Sequence, residues 1–529
     1  MYCCIHCFTV LLFCGNSPMM RVASLLFCLV FVACECKVKR NDDLPDRSPV
    51  EGLVETINKV FPVLADIFKS AFGTINRVAF HAALKGAVHL VDLAFPAHPP
   101  PRVPERWWGE NQHRDTSIRR FTVRFSDEMI SDLRYRIHYR RNFTRALHGV
   151  ANTYGTHAAY LAHFLDHWAY KYDFAAREDW LNSFPQYVTN IQGLDIHFIH
   201  IRPPNPRKKV LPILLLHGFP VTAFEYVHVI QNLMEEKDDC DFVFEIVVPD
   251  LPGYGYSEAT YKPGMALYQM GIIMKNLMLR LGKPQFYIHA GDVGHVVGDA
   301  IATLFPERVL GFHTNLPISN RPQSLTKWVL GQLYPPAVVD GRYEDRMYPL
   351  STRLQEYLEH FGYFHMQATK PDNVGHGLDE SPVALTSWLL ENIMMGTDRT
   401  GQFVIDGNLS QHYDMNDWLD TFTIYWASQS TTTAVRSYAE FLALRRDPLS
   451  FGILMTPTPV LFAAINFRYE IVYMPDDFLR DKYPNLVQTT TLDFGGHFAG
   501  FQVPAVLADS IWTSVAKMEM VRRNQGAIP

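Results

Sequence analysis

The body of this chain has almost no cysteine. Of the eight cysteines in 529 residues, seven lie near the amino end, at Cys3, Cys4, Cys7, Cys14, Cys28, Cys34 and Cys36. Only Cys240 lies further on, so no framework of disulfides can hold the fold together. The fold must depend on its hydrophobic core, for which a hydrophobic content of 48% is ample. Cys240 has no accompanying histidine motif, and we interpret it as a packing residue.

The sequence also lacks an excess of basic residues and a metal-binding motif. The formal net charge is −6 and no basic run is present, so nucleic acid is not expected as a partner. The histidines show neither HExxH nor another metal-ligand spacing. The sequence therefore implies neither a metal nor another cofactor.

The apolar runs at the amino end are short. The run 22–34 has the length of a signal-peptide apolar region, whereas a spanning helix needs ~20 apolar residues. Lys37, Lys39 and Arg40 follow it and one arginine precedes it, which favours a retained anchor with the body in the cytosol. Residues 1–40 are therefore an anchor in the endoplasmic reticulum membrane or a signal peptide whose cleavage leaves a lumenal or secreted body.

Residues 41–105 are predicted to be an amphipathic extension with a linker. Between residues 60 and 95, polar side chains recur every three or four positions, which predicts a helix with one narrow polar stripe. Such a helix would pack on the body or lie in a membrane interface. Together with the apolar run at the amino end, it makes membrane association an expectation. The proline-rich run 98–104 then ends it. Asn142 and Asn408 begin glycosylation sequons, which matter only if the body reaches the lumen.

Beyond residue 193, β-rich and helical patterns alternate. Three apolar runs that end in glycine- or proline-containing loops are predicted strands, at 210–216, 242–248 and 285–290. A helical pattern at 265–281 separates two of them, and a fourth strand is predicted at 460–465. This alternation predicts an α/β fold with a mostly parallel sheet. The helical, aromatic stretch 317–450 is predicted to be an inserted cap.

A strand-turn-helix pattern at residues 287–294 carries the chemistry. Asp292 stands at its tip with Ala290 and Gly294 two residues on either side, and small residues there suit the sharp turn of a nucleophile elbow. A carboxylate can attack saturated carbon and form an ester that water then cleaves. The alternative is an aspartate that only caps the following helix. Ser257, in Gly-Tyr-Ser-Glu-Ala, is rejected as a nucleophile because no strand leads directly into it.

Several further motifs accompany the elbow. They are Trp107-Trp-Gly109, Gly193-Leu-Asp-Ile-His-Phe-Ile-His200, His217-Gly-Phe-Pro220, Pro252-Gly-Tyr-Gly-Tyr-Ser257, Lys370-Pro-Asp-Asn-Val-Gly375, Ser381-Pro382 and Gly495-Gly-His497-Phe-Ala499. Through them the chain resembles the microsomal epoxide hydrolases, including the juvenile hormone epoxide hydrolases, from residue 107 to about 516. The resemblance implies an α/β-hydrolase fold with a mostly parallel sheet, an inserted helical cap and an amino-terminal extension. Residues 106–192 would be the family's amino-terminal segment, and 193–316 and 451–529 the two parts of the hydrolase core.

The resemblance also assigns roles to the ester chemistry. Asp292 matches the nucleophile and His497 the general base. Glu470 matches the acid that orients His497 and steadies its cation, with Asp476 and Asp477 as nearby rivals.

Two further pairs of positions match the family. Tyr363 and Tyr438 correspond to the cap tyrosines that donate a proton to the epoxide oxygen. The backbone N–H groups of Phe219 and Val293 would hold the oxyanion of the ester. The implied reaction converts a small lipophilic epoxide and water into a vicinal diol, in detoxification or in turnover of lipid or terpenoid epoxides.

The chain departs from the family pattern at the elbow. The family commonly has Trp directly after the nucleophile and Ser two residues beyond it, where this chain has Val293 and His295. Phe219 replaces a frequent Trp. A catalytically weakened hydrolase-fold protein that binds lipids or hormones is therefore an alternative. A haloalkane dehalogenase is a further one, although Val293 cannot supply the indole N–H of its halide site.

Overall fold

The computed structural model describes residues 77–97, 99–110, 115–204, 206–442 and 448–526. The predicted signal peptide or anchor and the first part of the amphipathic segment lie outside the described residues. The described residues divide into two units, one of residues 77–97 with Ser319–Gly362 and one of the described residues from Pro99 to Ile318 and from Tyr363 to 526.

Helices and strands alternate through much of the second unit. The strands are β1 Arg119–Arg120, β2 Gln186–Ile191, β3 Leu194–Ile201, β4 Lys209–Leu216, β5 Phe242–Pro249, β6 Phe286–Ala290, β7 Val309–Thr314, β8 Phe462–Asn466 and β9 Leu486–Thr491. The helices are α1 Arg77–Ala94, α2 Asp127–His138, α3 Ala158–Tyr170, α4 Phe174–Asn182, α5 Val227–Leu233, α6 Leu267–Arg280, α7 Asp292–Leu304, α8 Pro322–Gly331, α9 Leu350–His360, α10 Gly362–Thr369, α11 Pro371–Glu380, α12 Pro382–Thr397, α13 Leu409–His412, α14 Met415–Ser428, α15 Thr431–Phe441, α16 Pro448–Met455, α17 Asp476–Lys482, α18 Ala499–Gln502 and α19 Pro504–Asn524. The four predicted strands correspond to β4, β5, β6 and β8, and the predicted helix 265–281 corresponds to α6.

The strands form one nine-stranded sheet within the described residues, in the order β1-β2-β3-β5-β4-β6-β7-β8-β9. Strands β4 to β9 pair in parallel, whereas β1, β2, β3 and β5 pair antiparallel along one side. This is the α/β-hydrolase fold with a mostly parallel sheet, as the sequence predicts.

The central strands are apolar because both faces of the sheet are covered. All eight residues of β5 are buried, and so are all five of β6. A continuous apolar run without alternation is typical of parallel strands that carry helices on both sides. The order of the strands reverses beside β4, which pairs with β5 on one side and with β6 on the other. Ligands of open α/β sheets bind beyond the carboxyl ends of the strands at such a reversal.

The first unit holds the described end of the amphipathic segment. Phe80 and Leu84 of α1 are buried and pack against apolar side chains of residues 330–338. Leu90 and Leu93 of the same helix are exposed. Across the ranges that the structure describes, no helix has the length and apolarity needed to cross a membrane. The predicted domain boundaries stay predictions, and this unit takes residues 319–362 from the predicted cap.

Candidate active site

Asp292 lies at the sharp turn between β6 and α7. Its φ is +45°, a left-handed conformation that is costly for a residue with a side chain and is found where the surrounding structure enforces it. A Cβ on Gly294 would collide with the carbonyl oxygens of Leu216 and His217 at the end of β4. The helix can approach the strand because Gly294 has no side chain, as the elbow pattern predicts.

The carboxylate of Asp292 sits between two loops that follow neighbouring strands. The backbone N–H of Phe219, in the loop after β4, donates to its Oδ1 over 2.8 Å. Its Oδ2 is 3.3 Å from Nε2 of His497. Burial raises the pKa of Asp292, but the His497 cation and the N–H groups of Phe219 and Val293 outweigh it and hold that pKa below its usual value. Asp292 is therefore ionised at neutral pH.

His497 bridges two carboxylates. Its Nδ1 is 2.6 Å from Oε1 of Glu470, which also accepts the N–H of Ile471 over 2.7 Å. Burial alone would lower the pKa of His497, but Glu470 and Asp292 together raise it well above 6.5. The resting site thus holds an imidazolium between two carboxylates. Of the three acids that the sequence offered, the structure brings Glu470 to His497.

Tyr363 on α10 and Tyr438 on α15 lie together in the same site. Their ring centroids are 6.2 Å apart, and the ring of Tyr438 lies edge-on to that of Phe219 at 5.6 Å. Burial, and after it the charge of Asp292, raises the pKa of Tyr363. Burial also raises that of Tyr438, to which Tyr363 and Asp292 add. Both phenols stay protonated at neutral pH and can donate hydrogen bonds.

The comparisons with known proteins point to one family. Two family models match, Epoxide hydrolase N terminus over residues 118–226 and alpha/beta hydrolase fold over residues 212–443. The chain is 44% identical to the juvenile hormone epoxide hydrolase of Manduca sexta over 81% of its length and 93% of that relative. It is 35% identical to epoxide hydrolase 1 of Oryctolagus cuniculus over 78% of its length and 92% of that relative. The chain belongs to the epoxide hydrolase family.

A solved structure agrees with this membership. The crystal structure of juvenile hormone epoxide hydrolase from the silkworm Bombyx mori matches with a TM-score of 0.77 at 37% identity, over 79% of this chain and 99% of that one. The reaction that membership assigns is the hydrolysis of epoxides to diols.

His295, which departs from the usual pattern of epoxide hydrolases, lies in the core behind the elbow. It is 3% exposed. Its Nδ1 is 3.0 Å from Oγ1 of Thr314, and its Nε2 is 3.1 Å from the hydroxyl oxygen of Tyr483. Burial lowers the pKa of His295 to about 4, so the ring is neutral at physiological pH. The imidazole therefore completes a buried hydrogen-bond network and does not fill the space in front of Asp292.

Other polar residues that the sequence brought into question have structural roles. The hydroxyl of Ser257 donates to the carbonyl oxygen of Asp250 over 2.8 Å and accepts the N–H of His197. His289 and His313 pair through their Nδ1 atoms, 2.9 Å apart, on adjacent strands. Among the described residues, no three His, Cys, Asp or Glu side chains could hold a metal ion together.

Sequence reasoning missed two buried acids beside this epoxide hydrolase site. Asp250 accepts the backbone N–H of Ala223 over 2.7 Å and pairs with His197 at 2.8 Å, so it fixes the loop that carries Phe219. Glu225, 6% exposed, follows in the same loop. The sequence around Glu225 reads Ala-Phe-Glu-Tyr-Val. An acid inside such an apolar stretch could have indicated a buried carboxyl group.

Proposed function

We propose that this epoxide hydrolase opens lipophilic epoxides through a covalent ester on Asp292. The observation that carries the proposal is the continuous set of contacts from Phe219 N–H through Asp292 and His497 to Glu470, with hydrogen-bond distances of 2.8 and 2.6 Å at its two ends. This arrangement supplies a nucleophile, a base and an orienting acid in line.

In the first step, a carboxylate oxygen of Asp292 attacks an epoxide carbon and the bond between that carbon and the ring oxygen breaks. The departing alkoxide needs a proton, which Tyr363 and Tyr438 supply from the cap side of the site. The tyrosine that donates its proton regains one, and the imidazolium of His497 gives up the proton that balances this transfer. The first step therefore ends with a neutral ester, a hydroxyl on the neighbouring carbon and a neutral His497.

In the second step, neutral His497 takes a proton from water, and the hydroxide adds to the carbonyl carbon of the ester. The N–H groups of Phe219 and Val293 stabilise the oxyanion that forms. The bond between that carbon and the alkyl oxygen breaks, and this oxygen takes the proton of the added hydroxyl as the diol leaves. Asp292 is again a carboxylate and His497 again an imidazolium.

The surroundings of Asp292 support an apolar substrate. The ring of Phe219 lies edge-on to Tyr425 at 6.5 Å and to Tyr438 at 5.6 Å, so aromatic side chains cluster at the residue whose N–H donates to Asp292. Sites of this kind bind bulky apolar molecules and use a few polar groups to orient them. Since related enzymes are named for juvenile hormone, we propose terpenoid or lipid epoxides as the substrate class.

We also propose that the chain associates with the endoplasmic reticulum membrane. The support is the apolar run 22–34 with its trailing basic residues. The exposed Leu90 and Leu93 of α1 add apolar surface in the segment that the sequence predicts to be amphipathic.

The ester is tested by intact-protein mass spectrometry of the wild type and His497→Gln after mixing with a stilbene oxide. We expect diol from the wild type and a stable adduct on the variant that maps to Asp292, because the glutamine cannot activate water. The double variant Asp292→Asn, His497→Gln is the matched control and should form no adduct. Absence of both diol and adduct across several lipophilic epoxides would count against the ester mechanism.

A further inference from the structure

Glu225 is a buried carboxyl that neither step of the proposed mechanism uses. It lies in the short 3-10 turn Ala223–Tyr226, in the same loop that presents the N–H of Phe219 to Asp292. Only 6% of the residue is exposed. Within the part of the chain that the structure describes, its carboxyl group makes no hydrogen bond and no ion pair with another side chain. A buried acid without a partner is costly, which suggests a function for it.

Glu225 packs against the loop that carries His497. Gly500 lies three residues after His497, and a Cβ on Gly500 would come within 2.9 Å of Cγ and 3.3 Å of Oε1 of Glu225. The backbone can pass this close because residue 500 is glycine. The carboxyl of Glu225 is thus enclosed between the loop that supplies the oxyanion donor and the loop that supplies the base.

The charged residues of the site also affect the pKa of Glu225. Burial raises the pKa of Glu225 to about 8; the His497 cation opposes this rise, while Asp292 and Glu470 add to it. At neutral pH the group is therefore mostly a neutral acid, with a carbonyl oxygen that can accept a hydrogen bond. Three residues of the proposed ester chemistry are close enough to Glu225 to affect its ionisation.

We propose that Glu225 is a positioning residue for the water that hydrolyses the ester. Its carboxyl oxygen accepts one hydrogen of this water while Nε2 of His497 takes the other as a proton. Two hydrogen bonds hold the water with its oxygen toward the carbonyl carbon of the Asp292 ester, whereas a single hydrogen bond leaves the water free to rotate. This inference rests on the proposed ester mechanism and assigns Glu225 to its second step alone.

The test compares Glu225→Leu with Glu225→Gln in single-turnover rapid-quench experiments with a stilbene oxide. For Glu225→Leu we expect ester formation at the wild-type rate and ester hydrolysis slowed about 10- to 100-fold, the effect of a misplaced reactant. The ester should then accumulate and be seen by intact mass. Glu225→Gln should retain most of the hydrolysis rate, because its amide keeps a carbonyl oxygen in the same place.

Glu391→Gln is the control, because it removes a carboxyl from α12 whose charge reaches Tyr363 on the cap side of the site. It should leave ester hydrolysis unchanged. Hydrolysis at the wild-type rate in Glu225→Leu would overturn the proposal, as would equal slowing of both steps or a Glu225→Gln variant as slow as Glu225→Leu. If neither the wild type nor His497→Gln forms an ester, the ester mechanism itself is contradicted. That outcome is distinguishable from a failure of the Glu225 proposal, in which the ester forms and is hydrolysed at the wild-type rate.

Discussion

At the scale of single residues, we expect the acid beside His497 to set the strength of the proposed base. Glu470 and Asp292 both raise the pKa of His497, and the charge of Glu470 makes the larger contribution. We expect Glu470→Gln to lower that pKa and to slow ester hydrolysis by about 10²- to 10⁴-fold, as loss of the orienting acid does in serine hydrolases. Ester formation should change much less, because Phe219 still holds Asp292. Single-turnover rates of the two steps measure this difference.

Asp476→Asn is the matched control for this substitution. Asp476 is the first residue of α17. Because it lies close to Glu470 in sequence, it was an alternative candidate for the acid that orients His497. Its replacement should leave the rate of ester hydrolysis near that of the wild type. A larger loss in Asp476→Asn than in Glu470→Gln would contradict the assignment of Glu470.

The direction in which the ring of His295 points could not be predicted from the sequence. The sequence locates it in the first turn of α7, three residues after Asp292, and a bulky ring there raised the prospect of a blocked site. Which way the ring points depends on β7 and on the segment after α17, which supply Thr314 and Tyr483 as partners. These residues are 19 and 188 positions away in sequence. Local pattern carries no information on such contacts.

At the scale of elements, the elbow depends on a glycine that contacts backbone. Because a methyl group on Gly294 would collide with the carbonyl oxygens of Leu216 and His217, we expect Gly294→Ala to destabilise the fold by about 1–3 kcal/mol and to displace Asp292. Gly377, on the exposed side of α11, is the matched control, since no described atom lies within 4 Å of its Cβ position. Gly377→Ala should stabilise by ~0.5–1 kcal/mol. Urea unfolding and diol formation together measure both effects.

The elements that sequence predicted are those with unbroken apolar runs. Strands β4, β5 and β6 are buried on both faces and carry the strongest signal. Strand β7, with the sequence Val-Leu-Gly-Phe-His-Thr, was missed because Gly311 and His313 interrupt its pattern. Glycine fits there because a Cβ would collide with Sδ of Met518 and come within 3.0 Å of the ring of Tyr287. Such a requirement arises from packing across the sheet and cannot be read along one strand.

The proposed catalytic set could be named from the sequence because each member lies in a motif of the family that the chain resembles. The resemblance pointed to Asp292, His497, Glu470 and the two cap tyrosines, and the structure brings all five together. Glu225 and Asp250 have no motif of their own in that resemblance. Their burial beside the site depends on the packing of the loop after β4 against the segment that carries His497, which local sequence does not reveal.

At the scale of the whole molecule, the proposed membrane association predicts a side of the membrane for the body. The basic residues after the run 22–34 favour a cytosolic body held by an anchor. Asn142 is exposed and begins a sequon, so it reports on exposure to the lumen. When the full chain is synthesised with microsomes, we expect it to stay in the membrane pellet after carbonate extraction. We expect no change in mobility after treatment with an N-glycosidase.

The variant Asn142→Gln distinguishes the two topologies. A glycan on the wild type that disappears in Asn142→Gln would place the body in the lumen and contradict the cytosolic orientation. Release of the chain by carbonate would contradict the retained anchor. The epoxides that the enzyme can reach depend on this outcome, because an anchored enzyme meets lipophilic epoxides that partition into the bilayer, whereas a released one meets only those dissolved or carried in the aqueous phase.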